Sequence, residues 1–201
     1  MHPSWNAIHA LLEGQGGTAL FDLNPPASAS SIRALEEHIG VSLPLSLRDL
    51  LVLHDGQGRG HRCGLFFGDE FLSVEGIRAH WDNWKSLEDE GLNAQFADQM
   101  SSKPPGAVKP LYHNPKWIPF THDGGGNHSG VDFDPAAQGH AGQVIAFGRD
   151  LDEKCLLAGS FDGFLERFHQ HLLTVPWSLS KGWWAFGEDR FKRHYQGWFG
   201  A

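Results

Sequence analysis

Helices first, short meandering strands next and one closing helix predict an α+β fold, with a mixed, mainly antiparallel sheet packed with helices in a single domain. Three observations carry this expectation. Apolar residues recur at helical spacing through the first fifty or so positions. The region from Trp117 to Gly148 breaks into short apolar runs separated by glycine and proline. Helical spacing then returns from Phe161 to Leu172. A chain of 201 residues suffices for one well-buried core.

Taken in order, Trp5, Ile8, Leu11 and Leu12 mark a short amphipathic helix from Ser4 to Glu13, ended by the glycines that follow. A second helix is expected from Ser31 to His38, capped by Ser30 or Ser31, with Ile32, Leu35 and Ile39 on one face. Gly40 stops it. A third begins near Pro44, since proline is favoured in a first helical turn. Its stripe is Leu47, Leu50, Leu51 and His54, with Gly56 in the place of a C′ glycine.

Leu65–Phe67 and Glu70–Leu72 read as strands about a Gly68-Asp69 turn. Ser73 caps the next helix, which runs to Trp84 or Leu87, with Glu75 favourably placed in its first turn. Leu92 to Met100 is expected to form one more helix. Gly142–Gly148 and Cys155–Ala158 read as strands, and Ser160 opens the last helix, striped by Phe161, Phe164, Leu165, Phe168 and Leu172.

Residues 1–176 are thus expected to form the domain, and 177–201 an aromatic extension packed on it. That tail holds Trp177, Trp183, Trp184, Phe186, Phe191, Tyr195, Trp198 and Phe199, too many rings for a disordered segment.

The formal charge of −8 argues against direct binding to nucleic acid, which calls for a basic face. It suits a basic protein partner. Eight Trp and fourteen Phe supply core area and also interface anchors. Cys63 and Cys155 form no CxxC pattern, so neither a disulfide framework nor a cysteine zinc site is expected. The N-terminal residues show no signal peptide and no apolar run reaches membrane-spanning length, which makes cytoplasmic location the expectation.

Trp117 to Pro135 is the most informative stretch. It reads as two strands, Trp117–Phe120 and Ser129–Phe133, joined through Gly124-Gly125-Gly126 and Asn127, residues that tolerate positive φ. Pro119 cannot donate to a sheet ladder, so its strand belongs at an edge or a bulge. His122, Asp123, His128, Asp132 and Asp134 include ligand types suited to zinc or iron. A metal-assisted hydrolase built on His122, His128 and Asp132 is therefore a third functional reading. The spacing opposes it, because no His-x-x-x-His pattern lies on a helix and a glycine run separates the two histidines. The structural reading has Asp123 and Asn127 making Asx-type turn bonds while Asp132 and Asp134 bracket a buried Phe133. The glycines lack the Gly-Lys-Ser/Thr ending of a phosphate-binding loop, and no Gly-x-Ser-x-Gly elbow is present. No catalytic set, metal or cofactor is expected.

In order and spacing, these residues resemble the SUKH superfamily, the family of cell-wall assembly regulator domains and bacterial toxin-immunity proteins. The resemblance rests on Leu35-Glu36, Ile39-Gly40, Leu43-Pro44, Leu50-Leu51 and Asp55-Gly56, where the family usually has Asn-Gly. It continues through Trp117-Ile118-Pro119-Phe120, Asp123 to Asn127, Val131 to Pro135 and Gly139-x-x-Gly142-Gln143-Val144. Gly40, Leu43, Pro44, Gly56, Trp117, Pro119, Asp123, Gly126, Asn127, Asp132, Pro135 and Gly142 are its structural positions.

The resemblance implies a domain that binds rather than catalyses. The leading expectation is an immunity protein that occludes a cognate toxin, such as a nuclease; the alternative is a regulatory scaffold in cell-wall synthesis. Asp55, Asp69 and Glu70 are the expected acidic contacts, with Trp81 and Trp84 as aromatic anchors.

Overall fold

The computed structural model describes residues 2–14, 18–60, 62–180 and 183–186. Phe191, Tyr195, Trp198 and Phe199 lie outside these residues.

Four helices open the chain: α1 (Pro3–Gly14), α2 (Thr18–Phe21), α3 (Ala29–Ile39) and α4 (Leu45–Leu53). α3 starts earlier than its serine run suggests, because Ser28 is the cap and its hydroxyl accepts from the Ser31 N–H. Gly40 closes α3 in the left-handed region at φ 69°, its N–H on the Glu36 carbonyl. The Glu36 carboxylate in turn accepts from the Leu43 N–H at 2.8 Å and faces Arg48 at 3.6 Å, so one side chain sets the angle between α3 and α4. Pro44 stands at the N-cap of α4, and His54 has already left the helix for extended backbone.

Gly56 therefore is not the C′ residue of α4. It is glycine because the chain passes very close to the backbone at Leu72 and Ser73, where a Cβ would lie 2.2 Å from the Ser73 nitrogen. Strand β1 (Glu70–Phe71) and helix α5 (Val74–Lys85) follow, with Ser73 capping α5 through the Gly76 N–H. A short 3₁₀ turn at Glu88–Glu90 leads to α6 (Leu92–Gln95). The expected helix to Met100 stops after one turn because α6 has no buried residue to hold it.

The main sheet contains β2 (Ser101–Lys103), β3 (Trp117–Pro119), β5 (Asn127–Asp132), β6 (Gln143–Gly148) and β7 (Glu153–Ala158), in the order β2-β7-β6-β5-β3. Only the β2–β7 pair is parallel. β3 lies at one edge, as its proline requires. β4 (Thr121–His122) pairs with β1 in a separate small sheet. Helix α7 (Phe161–Thr174) follows, then the hairpin β8 (Trp177–Ser180) and β9 (Trp183–Phe186). The fold is thus α+β with a mixed, mostly antiparallel sheet.

Strand alternation divides the interior between the two faces of this sheet. Val144, Ala146, Ile118 and Leu157 enter the main core with α1, α4 and α7. Ile145, Phe147 and Trp117 form a second cluster with Ala107 and Val108 on the opposite face. Every residue of β6 is buried, as expected for a strand covered on both sides. α7 drives much of the closure: Phe161, Phe164, Leu165, Phe168 and Leu172 are all buried, each contributing about 1.5–3 kcal/mol. Gly130 is held to glycine by packing, since a Cβ would come within 2.6 Å of both the Ile118 oxygen and the Phe147 ring.

Candidate functional site

The glycine-rich connection is a built corner. Asp123 accepts from the Gly125 N–H at 2.7 Å and from the Asn127 N–H at 2.9 Å through one oxygen, and from the Asn127 amide at 2.9 Å through the other. Asn127 also reaches Asp150, accepting its N–H at 2.9 Å and donating to its carboxylate at 3.1 Å. Gly124 and Gly126 take φ of 79° and 98°, and the Gly126 carbonyl receives the Arg149 N–H. These are the Asx-type bonds that residue types and spacing predict. They hold the β4–β5 connection against the end of β6.

A second polar knot sits at the far end of β5. Asp132 is fully buried and accepts from the Gln143 amide at 2.8 Å and the Asp134 N–H at 2.9 Å. Burial raises its carboxyl above the usual range, against these hydrogen bonds. Asp134 pairs with Lys109 and Asn114, and this pairing lowers its carboxyl. Phe133 is only half-buried, so the expected pattern of two acids bracketing a buried ring is reversed at Asp132. Gly142, at φ 91°, donates to the Asp132 carbonyl, while Trp117 is buried opposite Asp132 and Pro135 is half-buried beyond it. Asp132 belongs to this knot and not to His122 and His128, so the sequence-derived metal trio does not assemble.

A different cluster does assemble. His80 projects from α5 to meet His122 and His128, which stand at either end of the glycine corner. Ring centres are 4.2 Å apart for His80 and His122, 5.0 Å for His80 and His128, and 5.1 Å for His122 and His128. They line a cavity of about 290 Å³ with Trp84, Tyr112 and Arg149. Burial lowers His128 to about 3, opposed by its bond to Thr121, and lowers His80 to about 4, reinforced by His122. His122 is lowered by burial, while Glu70, its Cα partner across β1 and β4, draws it back up. Burial thus favours the neutral imidazole at all three. His128 donates from Nδ1 to the Thr121 carbonyl at 2.7 Å, which fixes its tautomer and leaves Nε2 with a lone pair.

Sequence reasoning named two of these three histidines and missed His80. A local signal existed for the pair, since His122 and His128 are equidistant from Gly125 and so face each other across a hairpin. Nothing local to His80 reveals where α5 docks.

The residues expected to contact a partner fall in different places. Asp69 is buried, with 5 % of its surface exposed, and so is Trp81, whose indole N–H donates to the Pro115 carbonyl at 2.8 Å. Both are interior residues, which corrects the expectation of surface contacts there. Asp55 is half-buried, and its carboxylate accepts from the Val74 N–H at 2.7 Å, securing the start of α5. Glu70 and Trp84 are half-buried and both neighbour the histidine cavity, Trp84 stacking obliquely with Tyr112 at 5.8 Å.

Comparison with known proteins reaches the same frame. The chain is 33 % identical over 218 residues to the glucan synthesis regulatory protein of Neurospora crassa, covering 92 % of this chain and 40 % of that protein. It is 32 % identical over 195 residues to the cell wall biosynthesis/cell cycle regulator smi1 of Schizosaccharomyces pombe, covering 92 % and 37 %. With the cell wall assembly regulator SMI1 of Saccharomyces cerevisiae it shares 30 % identity over 188 residues, covering 78 % and 37 %. The chain thus spans about two-fifths of the length of these relatives. A family model, that of the SMI1 / KNR4 family (SUKH-1), matches residues 26–167. This stretch takes in α3, α4, the whole five-stranded sheet and half of α7, and the chain belongs to the SMI1/KNR4 family (SUKH-1).

Proposed function

We propose that this chain is the binding domain of a regulator of cell-wall synthesis, acting as a non-catalytic scaffold. The observation that carries the reading is the match of residues 26–167, from α3 through the five-stranded sheet into α7, to a family whose relatives above are named as glucan-synthesis and cell-wall regulators. Of the two expectations drawn from the sequence, this supports the regulatory scaffold better than the toxin-neutralising immunity protein. The local chemistry agrees with it. Asp123, Asp132 and Asp134, the acids of the most suggestive stretch, are engaged in internal bonds that shape the corner and the strand end. Such residues serve positioning rather than proton transfer at a substrate.

The test is a chimera. In Saccharomyces cerevisiae cells lacking SMI1, that protein is returned with its matching segment replaced by this chain. Restored resistance to a wall-binding dye and restored wall glucan are expected. A chimera present at normal abundance whose cells remain as sensitive as the deletion strain would defeat the proposal.

A further inference from the structure

We propose that His80, His122 and His128 bind one zinc ion, which ties helix α5 to the β4–β5 corner. The site is independent of the regulatory reading above. Their ligand nitrogens all lie within 4.8 Å of one another. Zinc binds imidazole nitrogen at about 2.0–2.1 Å, which places three rings at tetrahedral corners with centres about 5 Å apart. Two of the three observed ring separations are 5.0 and 5.1 Å, and the third, at 4.2 Å, involves half-buried rings that can rotate. Bringing nitrogens within 4.8 Å of one another onto an ion at that bond length takes about 1 Å of movement at each ligand atom.

The hydrogen bonding points the same way. The Thr121 carbonyl holds the Nδ1 proton of His128 and leaves the Nε2 lone pair free, the outer-shell arrangement that metal-binding histidines show. Among the described residues no hydrogen bond closes on His128 Nε2 or on the rings of His80 and His122. Three imidazole rings thus converge, and the one whose tautomer is fixed, His128, keeps a free lone pair on Nε2. Imidazole without thiolate suits zinc, and the fourth tetrahedral position opens into the cavity beside Tyr112 and Arg149, where water or an anionic group fits. Glu70, facing His122 from β1, supplies nearby negative charge.

Zinc chloride titrated calorimetrically into tag-free, chelator-treated protein tests the site. The wild-type chain is expected to take up one ion per molecule and to unfold at a higher temperature when loaded. His80→Gln and His122→Gln, both at half-buried positions, are expected to bind at least about tenfold more weakly, since even outer-shell changes cost 10–100-fold. The exposed His140→Gln is expected to bind as wild type does. Circular dichroism of each variant establishes folding. Cobalt(II) in place of zinc reads the coordination directly on the wild-type chain, where visible bands of tetrahedral nitrogen ligation are expected. No stoichiometric binding by the wild type, or equal affinity in folded His80→Gln and His122→Gln, would overturn the proposal. So would a cobalt spectrum of the fully hydrated ion.

Discussion

Asn127 places its backbone N–H and its side-chain amide on opposite oxygens of Asp123, each at 2.9 Å. One carboxylate thus organises a turn that the intervening glycines could not hold by themselves, because glycine gains no rigidity from its own backbone preferences. Removing that acid leaves three N–H donors to find other partners. Asp123→Ala is expected to lower stability by about 2–4 kcal/mol, since hydrogen bonds to charged groups contribute about 1.5–3 kcal/mol each and water recovers part of the loss. Asp123→Asn keeps one acceptor oxygen and should lose less. Urea unfolding midpoints of the two variants give the comparison, and equal losses would argue that charge, not acceptor geometry, holds the corner.

Gly56 and Gly124 separate two reasons for glycine. Both have positive φ, 66° and 79°. An alanine methyl at Gly56 would collide with the backbone of Leu72 and Ser73, whereas nothing lies within 4 Å at Gly124. Gly124→Ala should therefore cost only the left-handed penalty of about 1–2 kcal/mol. Gly56→Ala should cost more than about 4 kcal/mol, a large share of a typical folding free energy. Thermal unfolding of both variants would show it, and similar melting temperatures would refute the close approach.

Lys154 is fully buried in β7, with its ammonium on the Leu151 carbonyl and 6.0 Å from the centre of the Tyr112 ring. Burial lowers it to about 8 from its ordinary 10.5. Between these values the unfolded chain holds more protons than the folded one, so stability rises with pH across that window. The gain is on the order of 2–3 kcal/mol. Denaturant unfolding from pH 7.5 to 10.5 is expected to show this rise in the wild-type chain and to lose it in Lys154→Met. An identical slope in both proteins would count against a buried charged lysine.

Trp184 joins β9 to the body of the fold. Its indole N–H donates to the Gly64 carbonyl at 2.8 Å, and its ring meets Phe21, Phe168 and Trp177. Trp184→Ala is expected to cost about 3–5 kcal/mol through the lost ring. Trp184→Phe should cost about 1 kcal/mol through the lost hydrogen bond. Calorimetric melting distinguishes the two terms.

Much of the fold was legible in the sequence where one periodic signal dominated. Ser73 before Val74, Ile77 and Trp81, and Ser160 before the Phe161 stripe, state a cap and a buried face together. The same α5 spacing of i, i+3 and i+7 already implied that Trp81 points inward. Residue type favours tryptophan as an interface anchor, but its place on that stripe takes the ring inward. The parallel strand β2 was illegible because Ser101, Ser102 and Lys103 carry no apolar alternation, and their partner strand lies about fifty residues away. His80 was illegible for a related reason: a cluster drawn from a helix and a hairpin exists only after packing.

Pro119 has one further consequence. A strand that lacks an amide hydrogen ends the sheet on one side, and a strand of only three residues, Ser101–Lys103, ends it on the other. Neither border offers a long row of free peptide groups on which a foreign chain could lengthen the sheet. At these two borders of the main sheet, recognition of another chain would have to fall to surface side chains rather than to main-chain pairing.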